Sequence, residues 1–273
     1  MSLLISSLQN PRVKDVVRLG KRNERDARRE TVVEGVREGW HALDAGIVPN
    51  QAFVCPELAS NADARRVAER LRRLAASHRC PLYEVTPDVF AKMAVRGDSG
   101  GILLVIPYPD RSLQTLKFKG APFIIVVEGA EKPGNLGAIL RTADAAGVDA
   151  VIACDGTDLH NPNVVRASLG AIFTVPAVQS TSEEAIAWLR RRSIQIIASS
   201  PDASMLYPHV DLTAPTALVL GSEAEGLSAV WLGAADQRVR IPMLGSVDSL
   251  NLAASAAILA YEVVRQRLPR SAA

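Results

Sequence analysis

Ile241-Pro-Met-Leu-Gly-Ser-Val-Asp-Ser-Leu-Asn-Leu-Ala253 is the stretch on which the reading of this chain turns. Ile241 closes a β-like run, and Pro242 can neither donate to a ladder nor sit inside a helix. Gly245 permits a tight bend, and Ser249-Leu-Asn251 then opens an alanine-rich helix that runs to about Leu268. A loop feeding a helix start leaves several backbone N–H and C=O groups without secondary-structure partners. Such groups can hold a small polar ligand, with Ser249 and Asn251 adding short uncharged side chains. An N-cap followed by a turn would explain the same residues.

Two loops upstream share this form. Leu218-Val-Leu-Gly221-Ser-Glu-Ala-Glu-Gly226 sets the Glu223 carboxylate just past an apolar strand, where, read alone, it suits a capping or helix-dipole role. Residues 122–127 form an apolar run long enough for a strand buried on both faces. They lead into Glu128-Gly-Ala-Glu-Lys-Pro-Gly-Asn135-Leu-Gly137-Ala-Ile-Leu-Arg141, where Asn135 suits an N-cap and Gly134 and Gly137 admit close approach. Arg141 falls one turn into the helix that follows. Glycine-rich loops at helix starts can bind phosphate. This one lacks Gly-Lys-Ser/Thr, and its glycines fall as GxxxxGxxG, so it is neither a P-loop nor a dinucleotide fingerprint.

Between these loops the pattern keeps alternating. Strands are expected at 150–153, 172–178, 194–199, 217–221 and 237–241, with helices at 163–169, 183–192 and 227–235. That alternation predicts a mostly parallel sheet with ligands outside the carboxyl ends of its strands. The first 106 residues read as a smaller α/β unit. A basic helical region at 8–29 is followed by strands at 31–35, 51–55, 81–85 and 101–106, with helices at 36–45, 62–77 and 87–94. Residues 107–120 carry two prolines and no sustained period. The expected organisation is therefore a domain over 1–107, a linker over 108–120 and a second domain over 121–273.

Composition narrows the class. Of 273 residues, 48% are hydrophobic and 22% charged, ordinary for a folded soluble chain. No run approaches the roughly 20 apolar residues of a membrane helix. The apolar start is too short for a secretory signal, and its charges follow rather than precede it, so a cytoplasmic protein is expected. Cys55, Cys80 and Cys154 are scattered without a CxxC, as are His41, His78, His160 and His209, and no metal site is predicted. Residues 1–120 hold 20 Lys/Arg against 14 Asp/Glu, and the remainder 11 against 15. The excess gathers at 10–29, which includes Arg12 and Arg25; this suits either a phosphate backbone or a solvated helix face.

Asn135-x-Gly137-x3-Arg141, Gly221-Ser-Glu223-x2-Gly226 and Ile241-Pro-Met…Ser249-Leu-Asn251 together resemble the three motifs of the SpoU (TrmH-type) RNA ribose 2′-O-methyltransferases, in the family's order. Ile5-Ser-Ser-Leu-Gln-Asn-Pro11 with Val33-Glu-Gly-Val-Arg37 resembles the L30e-like substrate-binding domain often fused to that catalytic domain. The resemblance implies an α/β fold whose mostly parallel C-terminal domain ties a trefoil knot, which general topology rules would have disfavoured. It implies S-adenosylmethionine as cofactor, held by backbone at Gly221, Ile241 and Leu250, and a homodimer whose active site draws on both subunits. The catalytic set it implies is Asn135, Arg141, Glu223, Ser249 and Asn251, with Arg166 a candidate RNA contact beside Arg12 and Arg25 of the basic region. Arginine does not deprotonate in proteins, so Arg141 reads as a phosphate holder rather than a literal base. Lys132 stands where many members carry Asp before the proline. The expected reaction is ribose 2′-O-methylation of RNA, ribosomal RNA before transfer RNA. A non-catalytic RNA-binding protein and a dinucleotide oxidoreductase are the rivals, the second disfavoured by the missing fingerprint.

Overall fold

The computed structural model describes residues 3–95, 99–109 and 111–268. Two compact units emerge: Met1–Pro109 with His160–Thr174, and Asp110–Leu159 with Val175–Ala273.

The first unit runs β1 (Leu3–Ile5), α1 (Pro11–Arg18), α2 (Arg22–Arg28), β2 (Glu30–Glu34), α3 (Val36–Asp44), β3 (Gln51–Val54), α4 (Ala62–Ala76), β4 (Leu82–Val85), α5 (Pro87–Met93) and β5 (Ile102–Pro107). Its sheet has the order β1-β4-β3-β5-β2, with β5 antiparallel to both neighbours and the other pairs parallel. Val13 and Val16 of α1 and Val89 and Phe90 of α5 bury against Phe53, Leu103 and Val105 of the sheet. The basic helical region expected over 8–29 consists of two helices, α1 and α2. Arg25 explains the break: its Nη1 donates to the carbonyls of Leu19 and Gly20, both at 2.9 Å, just past the end of α1. Cationic side chains commonly satisfy the last carbonyls of a helix in this way. Arg25 is only 1% exposed, so the expectation that it contacts RNA is corrected: its charge is spent on the fold.

The second unit runs β6 (Phe123–Glu128), α6 (Pro133–Ala145) and β7 (Ala150–Cys154). After α7 (Pro162–Ala167) and α8 (Ala171–Thr174) it continues with β8 (Ala177–Ser180), α9 (Ser182–Arg191), β9 (Gln195–Ser199), β10 (Met205–Leu206), β11 (Thr216–Leu220), α10 (Ala229–Ala234), β12 (Gln237–Arg240) and α11 (Leu252–Arg267). The sheet order is β10-β12-β9-β11-β6-β7-β8, and every pairing is parallel. β6, β7 and β11 are buried at every position, as strands covered on both faces must be. Trp188, Leu189 and Trp231 close one face over Ile124, Ile152, Ile196 and Val219. α11 packs on α6 and β11. Arg267 anchors its far end by donating to the carbonyls of Leu212, Ala121 and Ala214 at 2.9, 2.8 and 2.6 Å.

Three sequence expectations change. Residues 172–178 are not one strand: Ala171, Ile172 and Phe173 bury as a short helix before β8, and a brief apolar run cannot distinguish the two. Leu113 and Leu116, in the expected linker, are buried in the second unit's core. The segment carrying α7 and α8, expected in the second domain, groups with the first unit. Val164 and Val165 bury there, α7 packs on β2, and Thr31 Oγ donates to the His160 carbonyl at 2.6 Å. The His160 ring stacks on Tyr108 with centroids 3.7 Å apart.

Candidate active site

Parallel strands end on one side of a sheet, and the loops leaving β9 and β11 build a cavity of about 360 Å³ there. Its walls include Ser199, Asp202, Gly221, Glu223, Ser249 and Leu250. The loop after β11 folds back tightly. Ser222 and Gly226 exchange both backbone hydrogen bonds, at 3.1 and 3.0 Å, and Ser222 Oγ accepts from the Glu225 N–H at 3.1 Å. Gly221 is pressed so close to this fold that a Cβ there would run into the main chain of Gly226 and Leu227. Gly226 turns the loop with φ +69°, a conformation that favours glycine.

A buried polar clamp supports the loop from beneath. Glu128, at the end of β6, accepts the Ser228 N–H on Oε2 at 2.8 Å, fixing the residue that caps α10. The indole of Trp231 donates to Ser182 Oγ at 2.6 Å. That hydroxyl lies between the carboxylates of Asp155 and Glu128, so its single proton serves one of them at a time. Cys154 next to this clamp stays a thiol: burial pushes its pKa up, reinforced by the charges of Asp155 and Glu128. Among the described residues no cluster of His, Cys, Asp or Glu could hold a metal ion.

Three predicted residues meet through side chains across long stretches of chain. Asn251 caps α11, accepting from the Ala253 N–H at 3.0 Å, and its Nδ2 donates to Asn135 Oδ1, also at 3.0 Å. Asn135 Nδ2 in turn donates to Glu223 Oε1. Because a carboxylate only accepts, the chain Asn251→Asn135→Glu223 has one workable direction. Asn135 is not the N-cap expected from its position; α6 starts at Pro133 after Lys132, which frees the Asn135 side chain to bridge the other two motifs.

The other predicted residues divide. Gly221, Ser249 and Leu250 line the cavity, whereas Ile241 follows β12 and is not part of its wall. Arg141 lies on α6, six residues past Asn135 or about 9 Å along the axis. Its guanidinium is exposed and has no hydrogen bond or ion pair among the described residues. Arg12 and Arg166 belong to the first unit; Arg12 is exposed and stands 4.8 Å above the Tyr83 ring, and Arg166 is half-buried in α7. Sequence reading missed Ser199, Ser200 and Asp202. Their position after a predicted strand was the available signal, but only the sheet order sets β9 beside β11. The cavity walls hold three carboxylates, Asp202, Glu223 and Glu225, and neither lysine nor arginine.

Comparison with known proteins agrees with this architecture. Residues 122–261 match the model of the SpoU rRNA Methylase family, and residues 10–103 match that of an MRM3-like substrate binding domain. A 23S rRNA (uridine(2479)-2′-O)-methyltransferase from Streptomyces viridochromogenes is 30% identical over 258 residues, covering 92% of this chain and 88% of that one. A crystal structure described as an RNA 2′-O ribose methyltransferase is 40% identical with a TM-score of 0.81, covering 97% and 99%. The SpoU methyltransferase AviRb from Streptomyces viridochromogenes, in complex with AdoMet, is 29% identical with a TM-score of 0.85, covering 95% and 98%. With more than half its length matched by the family model and near-complete coverage by relatives, the chain belongs to the SpoU rRNA methylase family.

Proposed function

We propose a division of labour among these residues for the reaction that membership carries, S-adenosylmethionine-dependent methylation of a ribose 2′-hydroxyl in ribosomal RNA. The observation that carries the reading is the cavity beyond β9 and β11, with the Asn251–Asn135–Glu223 chain at its edge. Its residues fit the cofactor. A wall with three carboxylates and no basic side chain suits a sulfonium cation, and Leu220, Leu227, Leu250 and Leu252 offer apolar surface for an adenine ring. Backbone groups at Gly221 and Leu250 would hold it, the close fold at Gly221 keeping main-chain atoms within reach. When bound, the cofactor supplies an activated methyl group.

The protein's part is alignment and proton handling. Holding two reactants in line can lower a barrier by up to ~7–11 kcal/mol. Arg141, exposed and without a partner among the described residues, would grip a phosphate of the target nucleotide through its two-pronged guanidinium, turning the 2′-hydroxyl toward the methyl donor. The phosphate so held then orients or accepts the hydroxyl proton. Asn135 locks Glu223 and Asn251 together, so the start of α6, the cofactor loop and the start of α11 keep one relative placement. Ser249 adds a hydroxyl at the cavity wall. Arg12 and Arg166 extend the RNA contact on the first unit.

Three further features belong to this reading. The C-terminal stretch is threaded as the family's trefoil knot. Two copies pair, a state supported by apolar side chains left in water: Leu244 is 96% exposed, Val247 61% and Tyr261 50%. The enzyme works in the cytoplasm; among the described residues no helix is long and apolar enough to cross a membrane. Mapping ribose methylation on total RNA from cells with and without this chain tests the proposal. One 2′-O-methyl lost with the chain is the expected result; identical maps, together with no tritium transfer from labelled cofactor to ribosomal RNA, would overturn it.

A further inference from the structure

The first unit contains a cavity of its own, about 440 Å³, between α3 and the N-terminal half of α4. Its walls include Arg37, Trp40 and His41 from α3 and Asp63, Arg66 and Val67 from α4. That volume lies in the range of small-molecule pockets.

Trp40 is held by two arginines of different kinds. Arg70 stands 5.5 Å from the indole centroid and is pinned, donating to the Leu43 carbonyl at 2.6 Å and to Asp44 Oδ1 at 3.3 Å. It is absent from the cavity walls. Arg66 stands 5.1 Å from the same centroid and does line the cavity. It is loosely held: its side chain is 68% exposed, and its ion pair with the still more open Asp63 is 3.9 Å long. An indole with one pinned and one movable guanidinium over its ring can admit a flat conjugated ring where the movable one gives way. Unpaired bases stack on tryptophan and on arginine planes in this manner. Arg37 is exposed at the same cavity, where a phosphate beside the stacked base would lie within its reach.

We infer that this cavity takes one unpaired nucleobase of the RNA substrate, stacked on the Trp40 indole beside the Arg66 guanidinium, with Arg37 on the adjoining phosphate. The inference rests on the RNA-methyltransferase reading and adds a base-holding site on the first unit. It implies that the recognised RNA presents a splayed-out base in addition to the nucleotide that is methylated.

Tryptophan fluorescence tests this directly, because the other two tryptophans, Trp188 and Trp231, are 1% and 0% exposed. Quenching by RNA therefore reports Trp40. The full chain is titrated with a short single-stranded oligouridylate and with an RNA duplex of equal length, following both fluorescence and binding. Saturable quenching by the single strand and little by the duplex is expected. Trp40→Ala should weaken single-strand binding about tenfold and abolish the quenching, and Trp40→Phe should restore most of the affinity. Circular dichroism and thermal unfolding of the full chain establish whether both variants are folded; if Trp40→Ala is not, Arg66→Ala and the wild-type quenching decide. Wild-type protein that binds the single strand without quenching, or does not bind it at all, overturns the inference. So does a folded Trp40→Ala with unchanged affinity. Normal methyl transfer by Trp40→Ala with wild-type RNA affinity removes the base site and leaves the methyltransferase reading intact, whereas absent transfer by the wild type removes the latter.

Discussion

Gly221→Ala isolates the geometry of the cofactor loop. The added Cβ would fall far inside 3.0 Å of three main-chain atoms, all in Gly226 and Leu227, whereas ordinary contact begins near 3.4 Å. No flexible side chain is there to step aside, so the returning arm of the loop must retreat. Retreat breaks the paired Ser222–Gly226 backbone bonds of 3.1 and 3.0 Å. At about 0.5–1.5 kcal/mol net for each bond, the loss is about 1–3 kcal/mol. Because the loop lies at the surface, that energy appears as cofactor affinity rather than global stability, and each 1.4 kcal/mol is about tenfold in Kd. Gly221→Ala should therefore bind S-adenosylmethionine about 5- to 150-fold more weakly by calorimetry while its Tm falls by only a few degrees. Wild-type cofactor affinity in this variant would refute the claim that the close fold at Gly221 builds the site.

Other expectations follow from individual contacts. Asn135→Asp places a carboxylate against Glu223 where an amide now donates, so kcat/KM should fall below that of Asn135→Ala at neutral pH and recover partly as pH drops. Arg141→Lys keeps the charge but loses the two-pronged grip; kcat/KM should drop about tenfold or more with Tm unchanged, since the side chain makes no bond among the described residues. Arg25→Ala should cost about 1.5–3 kcal/mol in denaturant unfolding and leave the RNA affinity of the folded fraction unaltered. His160 is held at about 4 against an ordinary 6.5, chiefly by burial and next by the Arg29 charge. The unfolded chain then takes up this proton first, so stability is full above about pH 6.5, declines as pH falls and is lost below about pH 4, by at most about 3 kcal/mol. Urea unfolding from pH 7 to pH 4 should show that slope, and His160→Gln should remove it.

Local order was legible because it is written in adjacent residues. Strand, loop and helix follow one another within each of the three motifs, so the parallel alternation and the loops at Asn135, Gly221 and Ser249 could be read directly. The start of α11 is a clear case: Ser249-Leu-Asn251 before an alanine-rich run reads as a helix start with an N-cap among its explanations, and Asn251 takes that role because capping depends on the next two or three residues. Residues 172–178 failed for the complementary reason. Their apolar run satisfies either a buried strand or a short buried helix, and periodicity cannot choose over so few positions.

What tertiary structure alone decided are the relations between residues far apart in sequence. Asn135 looks like a cap in isolation, yet it binds partners 88 and 116 residues away because α6, the loop after β11 and α11 converge at one end of the sheet. Ser199 and Asp202 joined the cavity only through a strand order that sets β9 beside β11. Arg25 looked like one cation among eight in a basic stretch until chain reversal between α1 and α2 buried it on two carbonyls. Hydrogen bonding within a few residues is fixed by the backbone's own geometry and so shows in sequence. Which strand neighbours which, and which polar group that burial deprives of water, depends on the packing of the whole core.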